Sequence, residues 1–250
     1  MGNKRDFQGR WEFVLKEKEL DGLLKLKGSQ RIFMMDMGDL FHSDICWDFI
    51  VKVFNVMAAT PWHTYQVLTK RPGRMAHFAQ KVWPQQGGLW EPIEWTFPSR
   101  ARVMDKWPGT AWPANVWAGT SVENQKYAPR LDCLLRVPAK VRFVSAEPLL
   151  GPLDLKPYFF KCSGTCVPTE ENPRCACKGP AINWVICGGE SGPGARPMDL
   201  AWAGDLVRQC QQAGVDCFVK QLGSAPMSGL RCQDLYEELI DLAQTPGGVR

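Results

Sequence analysis

The chain has 250 residues, 45% of them hydrophobic and 22% charged, with a formal net charge of +4. That composition suits one large or two small globular domains and excludes a fibrous or low-complexity protein. So small a positive surplus does not by itself argue for nucleic-acid binding, which calls for a clustered basic stripe.

No apolar run approaches the length needed to cross a bilayer, and the opening MGNKRDFQGRWEF lacks the apolar stretch of a signal peptide. A cytoplasmic protein is therefore expected. In that compartment thiols stay reduced, so clustered cysteines point to metal rather than to disulfides.

Six segments read as buried strands: Arg31–Met37, Thr64–Thr69, Asn115–Gly119, Val141–Ser145, Asn183–Cys187 and Val215–Val219. They are short, rich in β-branched and aromatic residues, and mostly apolar on both faces, as parallel strands covered by helices are. Between them, Asp48–Ala59 places Phe49, Ile50, Val53, Phe54 and Met57 on one helical face, with Asp44 as a fair N-cap. Further helices are predicted over Asn124–Leu135 and over Leu200–Ala213, the last stopped by Gly214. This alternation is that of an α/β domain with a mainly parallel sheet, and a barrel of this length is routinely one domain. Two inserts interrupt it. Residues 83–113 are rich in Trp, Pro and Gly and read as a long loop or lid, whereas residues 159–180 hold a cysteine cluster.

Every predicted strand is followed at once by polar residues or glycine. The first gives Asp36, Gly38, Asp39 and His42; the second Thr69, Lys70 and Arg71; the third Ser121 and Glu123. Ser145 and Glu147 follow the fourth, Gly188, Gly189, Glu190 and Ser191 the fifth, and Lys220 and Gln221 the sixth. In parallel α/β folds the loops at the C-terminal strand ends form the site, so this series marks a functional face. The bland alternative is that these groups cap helices or pair with each other, with Lys70 and Arg71 neutralising Glu147 and Glu190. The run GGESGPG, Gly188–Gly194, either lets a backbone approach a ligand and offers amides to an anion, or makes a tight turn. Its spacing fits neither a P-loop nor a dinucleotide fingerprint.

Cys162-x3-Cys166 and Cys175-x-Cys177 supply four thiolates, the ligand set of a structural zinc site. An iron–sulfur cluster and plain thiols remain alternatives. Four protein ligands leave no open position, so such a zinc would fold the insert rather than catalyse.

The segments RIFMMDMGDLFHSDI, HTYQVLTKRPGRM, NVWAGTSVENQ, VRFVSAEPLLGP and NWVICGGESGPGARPMD, in matching order from about Arg31 to Gly223, resemble a family of uncharacterised bacteriophage and prophage proteins. This phage three-Cys-motif family looks related to radical S-adenosylmethionine enzymes. The resemblance implies a partial TIM-like (β/α) barrel of about six parallel strands, with a [4Fe–4S] cluster and S-adenosylmethionine at the C-terminal strand ends, in the cytoplasm of a phage-infected bacterium. It implies Gly188, Gly189, Glu190 and Ser191, with Ser121 and Glu123, as cofactor contacts. Asp36, Asp39, His42, Lys70, Arg71 and Glu147 fall to the substrate or catalytic side, Lys70 and Arg71 being suited to an anionic group. The family's loop of three closely spaced cysteines has no counterpart here, since no cysteine precedes Cys46. The expectation is therefore a truncated or cluster-less member, inactive in radical chemistry as it stands.

The resemblance makes the substrate a nucleic acid or a nucleotide-derived compound. A competing reading is a non-enzymatic, zinc-containing protein that binds nucleic acid or another protein. There Trp83, Trp90, Trp95, Trp107 and Trp112 would stack on bases, unless they pack on the barrel instead. A third reading, a divalent-metal hydrolase using Asp36, Asp39, His42 and Glu147, has suitable ligand types but a single histidine.

Overall fold

The computed structural model describes residues 2–5, 11–14, 17–35, 38–86, 111–160 and 181–227. The chain divides into two compact units, Met1–Ala118 with Val137–Lys140, and Gly119–Arg136 with Val141–Arg250.

In the first unit, β1 (Gly2–Arg5) and β2 (Trp11–Val14) pair antiparallel, and α1 (Glu17–Lys25) follows. Then come β3 (Arg31–Met34), α2 (Trp47–Ala59) and β4 (Thr64–Thr69). Next, α3 (Pro72–His77) runs through a π-helical turn, Phe78–Val82, into α4 (Trp83–Gln86). Strands β3 and β4 are parallel, Arg31 opposite Thr64 and Met34 opposite Val67. The first strand ends earlier than the sequence suggested because Met35 takes φ 63°, a left-handed conformation that cannot continue a strand. Helix α2 is capped by the backbone of Cys46, not by Asp44. The Asp44 carboxylate instead accepts a hydrogen bond from the Ser43 hydroxyl at 3.0 Å.

The core of this unit is aromatic. Phe54 lies 4.7 Å from Phe78 and 4.9 Å from Trp112, ring centre to ring centre, and Phe41 and Trp83 are fully buried beside them. Each such ring contributes roughly 2–3 kcal/mol on leaving water. The Trp83 and Trp112 indoles donate to the Ala111 and Val116 carbonyls at 2.9 and 2.8 Å. Both ends of the expected lid are therefore core posts, as the packing alternative for these tryptophans required; Trp90, Trp95 and Trp107 lie outside the described residues.

The chain passes along β5 (Val116–Ser121) into the second unit. A 3-10 turn, Gln125–Tyr127, precedes α5 (Arg130–Leu134) and β6 (Arg142–Ala146). Then follow α6 (Lys156–Phe159), β7 (Trp184–Gly188), β8 (Met198–Asp199), α7 (Leu200–Ala213), β9 (Asp216–Gln221) and β10 (Pro226–Met227). The single helix expected over Asn124–Leu135 is broken in two. Asn124 accepts from the Lys126 amide and closes a short turn, and Pro129, which has no N–H, occupies the cap of α5. Helix α7 matches its expected bounds. Asp199 caps its start through the Ala201 amide at 2.9 Å, and Gly214 ends it at φ 65°.

Strands β6, β7 and β9 pair parallel, Ser145 opposite Ile186 and Ile186 opposite Phe218. The main sheet has six strands in the order β3-β4-β5-β6-β7-β9. The expected class, an α/β fold with a partial TIM-like barrel of six parallel strands, is the one observed. Among the described residues no helix is long and apolar enough to cross a membrane.

Candidate functional site

The polar residues that follow the strands form one cluster in each unit. In the first unit Asp39 is the centre. Its Oδ1 accepts from the Phe41 amide at 2.9 Å and the Thr69 hydroxyl at 2.6 Å. Its Oδ2 accepts from the Lys70 amide at 3.2 Å and the Arg71 guanidinium at 2.8 Å. One carboxylate thus ties the loop after β3 to the loop after β4, and its lone pairs are spent on the protein. Arg74 completes the tie. Its guanidinium donates to the carbonyls of His42 and Ile45 and lies 4.1 Å over the Trp47 ring. His42 accepts the Asp44 amide at Nδ1, 3.3 Å away. The Lys70 side chain is exposed, and Asp36 lies outside the described residues. Of the residues expected on the substrate side, Asp39 and Arg71 are therefore mutual structural partners.

The second unit is built differently. Backbone bonds stitch the strand-end loops in series: Leu150 N–H to the Glu123 carbonyl at 2.8 Å, Leu149 N–H to Gly188 at 2.8 Å, and Gly189 N–H to Gln221 at 2.9 Å. Along this seam stand three glutamates, each beside a cation. Glu123 is buried and accepts from Arg130 at 2.9 Å; the same guanidinium nitrogen also donates to the Ser121 carbonyl at 2.8 Å. Glu190 takes Arg196 in a two-pronged pair at 2.7 and 3.0 Å, plus the Arg196 amide at 2.9 Å. These hydrogen bonds hold the Glu190 carboxyl down to about 2, because they favour its charged form.

Glu147 is the exception. Lys220 reaches both of its oxygens only at 3.5 Å. Burial pushes its carboxyl above the usual range, and the charge and long hydrogen bond of Lys220 offset this only in part. A carboxylate that has lost water without gaining a close donor is poised to take a ligand's positive group.

The glycines owe their place mainly to their own chain. A Cβ on Gly188 would lie 2.7 Å from a Glu147 carboxylate oxygen, so its absence lets that carboxylate lie against the end of β7. One on Gly189 would lie 2.4 Å from the Leu222 carbonyl oxygen. The Gly192 amide donates to the Ser224 hydroxyl at 3.1 Å, and Ser191 is exposed.

The pairing differs from the one the sequence suggested. The bland alternative set Lys70 and Arg71 against Glu147 and Glu190, whereas Glu147 meets Lys220, Glu190 meets Arg196, and Arg71 meets Asp39. Arg130 and Arg196 escaped sequence reasoning. The available signal was their position seven and six residues after Glu123 and Glu190, close enough for a loop to fold back on itself.

The described thiols do not suit a [4Fe–4S] cluster. Cys46 is exposed, Cys133 is half-buried, and Cys187, Cys210 and Cys217 are buried. Burial pushes the Cys187 thiol well up, and a hydrogen bond with Cys217, with burial behind it, raises Cys210. Among the described residues no group of three or more His, Cys, Asp or Glu side chains could hold a metal ion. Cys162, Cys166, Cys175 and Cys177, expected to bind zinc, lie outside the described residues.

A family model described as a protein of unknown function (DUF5131) matches residues 2–238. The chain belongs to the DUF5131 family. No curated protein and no solved structure matches the chain. The DUF5131 match spans every strand of the main sheet and both strand-end clusters.

Proposed function

We propose that this chain is a radical S-adenosylmethionine-like protein, of bacteriophage origin and cytoplasmic, whose second unit binds S-adenosylmethionine at the ends of β5, β6, β7 and β9. Glu147 carries the reading, as a part-buried carboxylate with only a distant cation. The methionyl end of S-adenosylmethionine is a zwitterion beside a sulfonium. It calls for carboxylates and cations interleaved, as Glu123, Glu147 and Glu190 are with Arg130, Lys220 and Arg196. Glu147 accepts the ligand's ammonium, and Lys220 turns from Glu147 to the ligand's carboxylate. Gly188 keeps the end of β7 clear for the Glu147 carboxylate. The described residues supply no thiolate set for a cluster, so the reading covers ligand binding and includes no redox step.

Isothermal titration with S-adenosylmethionine tests it. Binding is expected, and Glu147→Gln should weaken it at least tenfold, equivalent to about 1.4 kcal/mol. Absence of heat at millimolar ligand, or equal affinity in the variant, overturns the reading. Structural zinc on Cys162, Cys166, Cys175 and Cys177 belongs to the same proposal. Metal analysis of the purified protein should return one zinc per chain, and full thiol titration without zinc removes that part.

A further inference from the structure

The row of residues across the middle of β3, β4 and β5 contains a buried polar group that the fold leaves unserved. Phe33 on β3 stands opposite Gln66 on β4. The Tyr65 amide donates to the Asn115 carbonyl at 2.8 Å. By the bonding rule of parallel strands this sets Gln66 opposite Trp117 on β5. All three residues belong to the first unit. Registered partners point to the same side of a sheet, so Phe33, Gln66 and Trp117 form one cross-strand row. On the opposite side of β4, the Tyr65 hydroxyl lies 2.7 Å from the Thr60 hydroxyl at the end of α2.

The three side chains have different surroundings. Phe33 is 41% exposed. Trp117 is half-buried, with the Arg31 guanidinium 5.3 Å from the centre of its ring. Gln66 is only 7% exposed, and its side-chain Nε2 has no hydrogen-bond partner among the described residues. A buried amide donor left unpaired is destabilising, and a folded protein carries such a group where something else supplies the acceptor.

We infer that this row is a nucleotide-binding site. Phe33 and Trp117 stand two strand spacings apart, about 10 Å at the backbone, wide enough for one planar ring between them. The floor of that slot is the Gln66 amide, whose Nε2 donates to a ring nitrogen or carbonyl of the base. A glutamine amide reading a base edge, flanked by aromatic faces, is a recurrent way to hold a nucleobase. Arg31 shows that the indole already holds a cationic group within cation–π range. When the base takes that position, Arg31 moves out to the nucleotide's phosphate. The inference stands apart from the S-adenosylmethionine reading, which concerns the other unit.

The test is titration of the full chain with guanosine 5′-monophosphate, read by tryptophan fluorescence quenching and by calorimetry. Ribose 5-phosphate serves as the ligand without a base. Binding of the nucleotide at least tenfold tighter than of ribose 5-phosphate is expected. Gln66→Leu keeps the side-chain volume and removes the orphan donor. It should weaken nucleotide binding at least tenfold while the thermal midpoint stays level or rises. A second variant, Trp117→Leu, should abolish the quenching that accompanies binding. Glu147→Gln should leave nucleotide binding unchanged, which separates this inference from the preceding one. A short single-stranded oligonucleotide competing more strongly than the mononucleotide identifies nucleic acid as the source of the base; weaker competition identifies a free nucleotide. Binding lost equally for both ligands, or full affinity in Gln66→Leu, overturns the inference.

Discussion

Replacing Asp39 with alanine removes the shared acceptor of four hydrogen bonds, from the Phe41 amide, the Thr69 hydroxyl, the Lys70 amide and Arg71. The three neutral donors are each worth about 1 kcal/mol net. Arg71 is 41% exposed, so its share is smaller, about 0–1 kcal/mol in a screened pair. The expected loss is about 3–4 kcal/mol. Asp39→Asn is informative beside it, because an amide keeps one acceptor oxygen and turns an NH2 group toward two of the four donors. It should cost about 2 kcal/mol, between alanine and wild type. Urea unfolding followed by tryptophan fluorescence gives both values, with the slope against denaturant unchanged. Neither variant should weaken S-adenosylmethionine binding by the fraction that remains folded. A stability loss below about 0.5 kcal/mol, typical of an unengaged surface site, together with lost ligand binding, would refute the assignment of Asp39 as a clamp.

Gly189→Ala should destabilise by about 3 kcal/mol, because its Cβ would meet the backbone of Leu222 and not a movable side chain. Gly192→Ala, in open space at φ 98°, should cost only the strain of its backbone, about 1–2 kcal/mol; equal losses in urea unfolding would contradict this. Glu147 has a raised folded value, so its contribution to stability is present below the unfolded carboxyl value and is lost as pH rises through the folded one. Glu147→Gln should therefore be at least as stable as wild type at pH 7, and the gap should close as the pH drops below the ordinary value of 4.5. Glu190, held near 2, acts in the opposite sense. Its contribution is present above 4.5 and is lost as pH falls toward 2, so Arg196→Gln should flatten the acid limb of the thermal-midpoint profile. His63 is buried, and its value is lowered by that burial. The Gln30 amide and the Trp62 indole both point at its ring nitrogens, so a proton on either nitrogen opposes a donor. Stability should fall as pH drops below 6.5, where the unfolded chain takes up the proton first, and His63→Asn should remove that dependence.

The six strands of the main sheet were legible because each is mostly apolar on both faces and is followed by polar residues, and β4 and α7 keep the expected bounds; the short pairs β1–β2 and β8–β10 carry no such pattern and were not read. The departures have local causes, Met35 in a left-handed conformation and Pro129 splitting a helix. The strand-end carboxylates were legible as well, since each follows its strand directly. Their partners were not. The cation that meets Glu147 lies 73 residues away, and no local pattern names it. Gln66 was hidden for the opposite reason: one polar residue within TYQVLT does not show which face it occupies until the register with β3 and β5 is known.

The three carboxylate–cation pairs differ in the length of chain each one closes. Glu123–Arg130 and Glu190–Arg196 close seven and six residues, and Glu147–Lys220 closes 73. On a loop-closure scale the long one costs roughly 2 kcal/mol more to bring together. The short pairs are available to the unfolded chain early, whereas Glu147 meets Lys220 only once β6, β7 and β9 have assembled. Disturbing Glu147 or Lys220 should therefore alter the rate at which the protein unfolds and leave its folding rate nearly unchanged. On the proposed reading Glu147 receives the ligand, and its pair with Lys220 is among the last parts of the second unit to come together, so an occupied site should extend the lifetime of the native state.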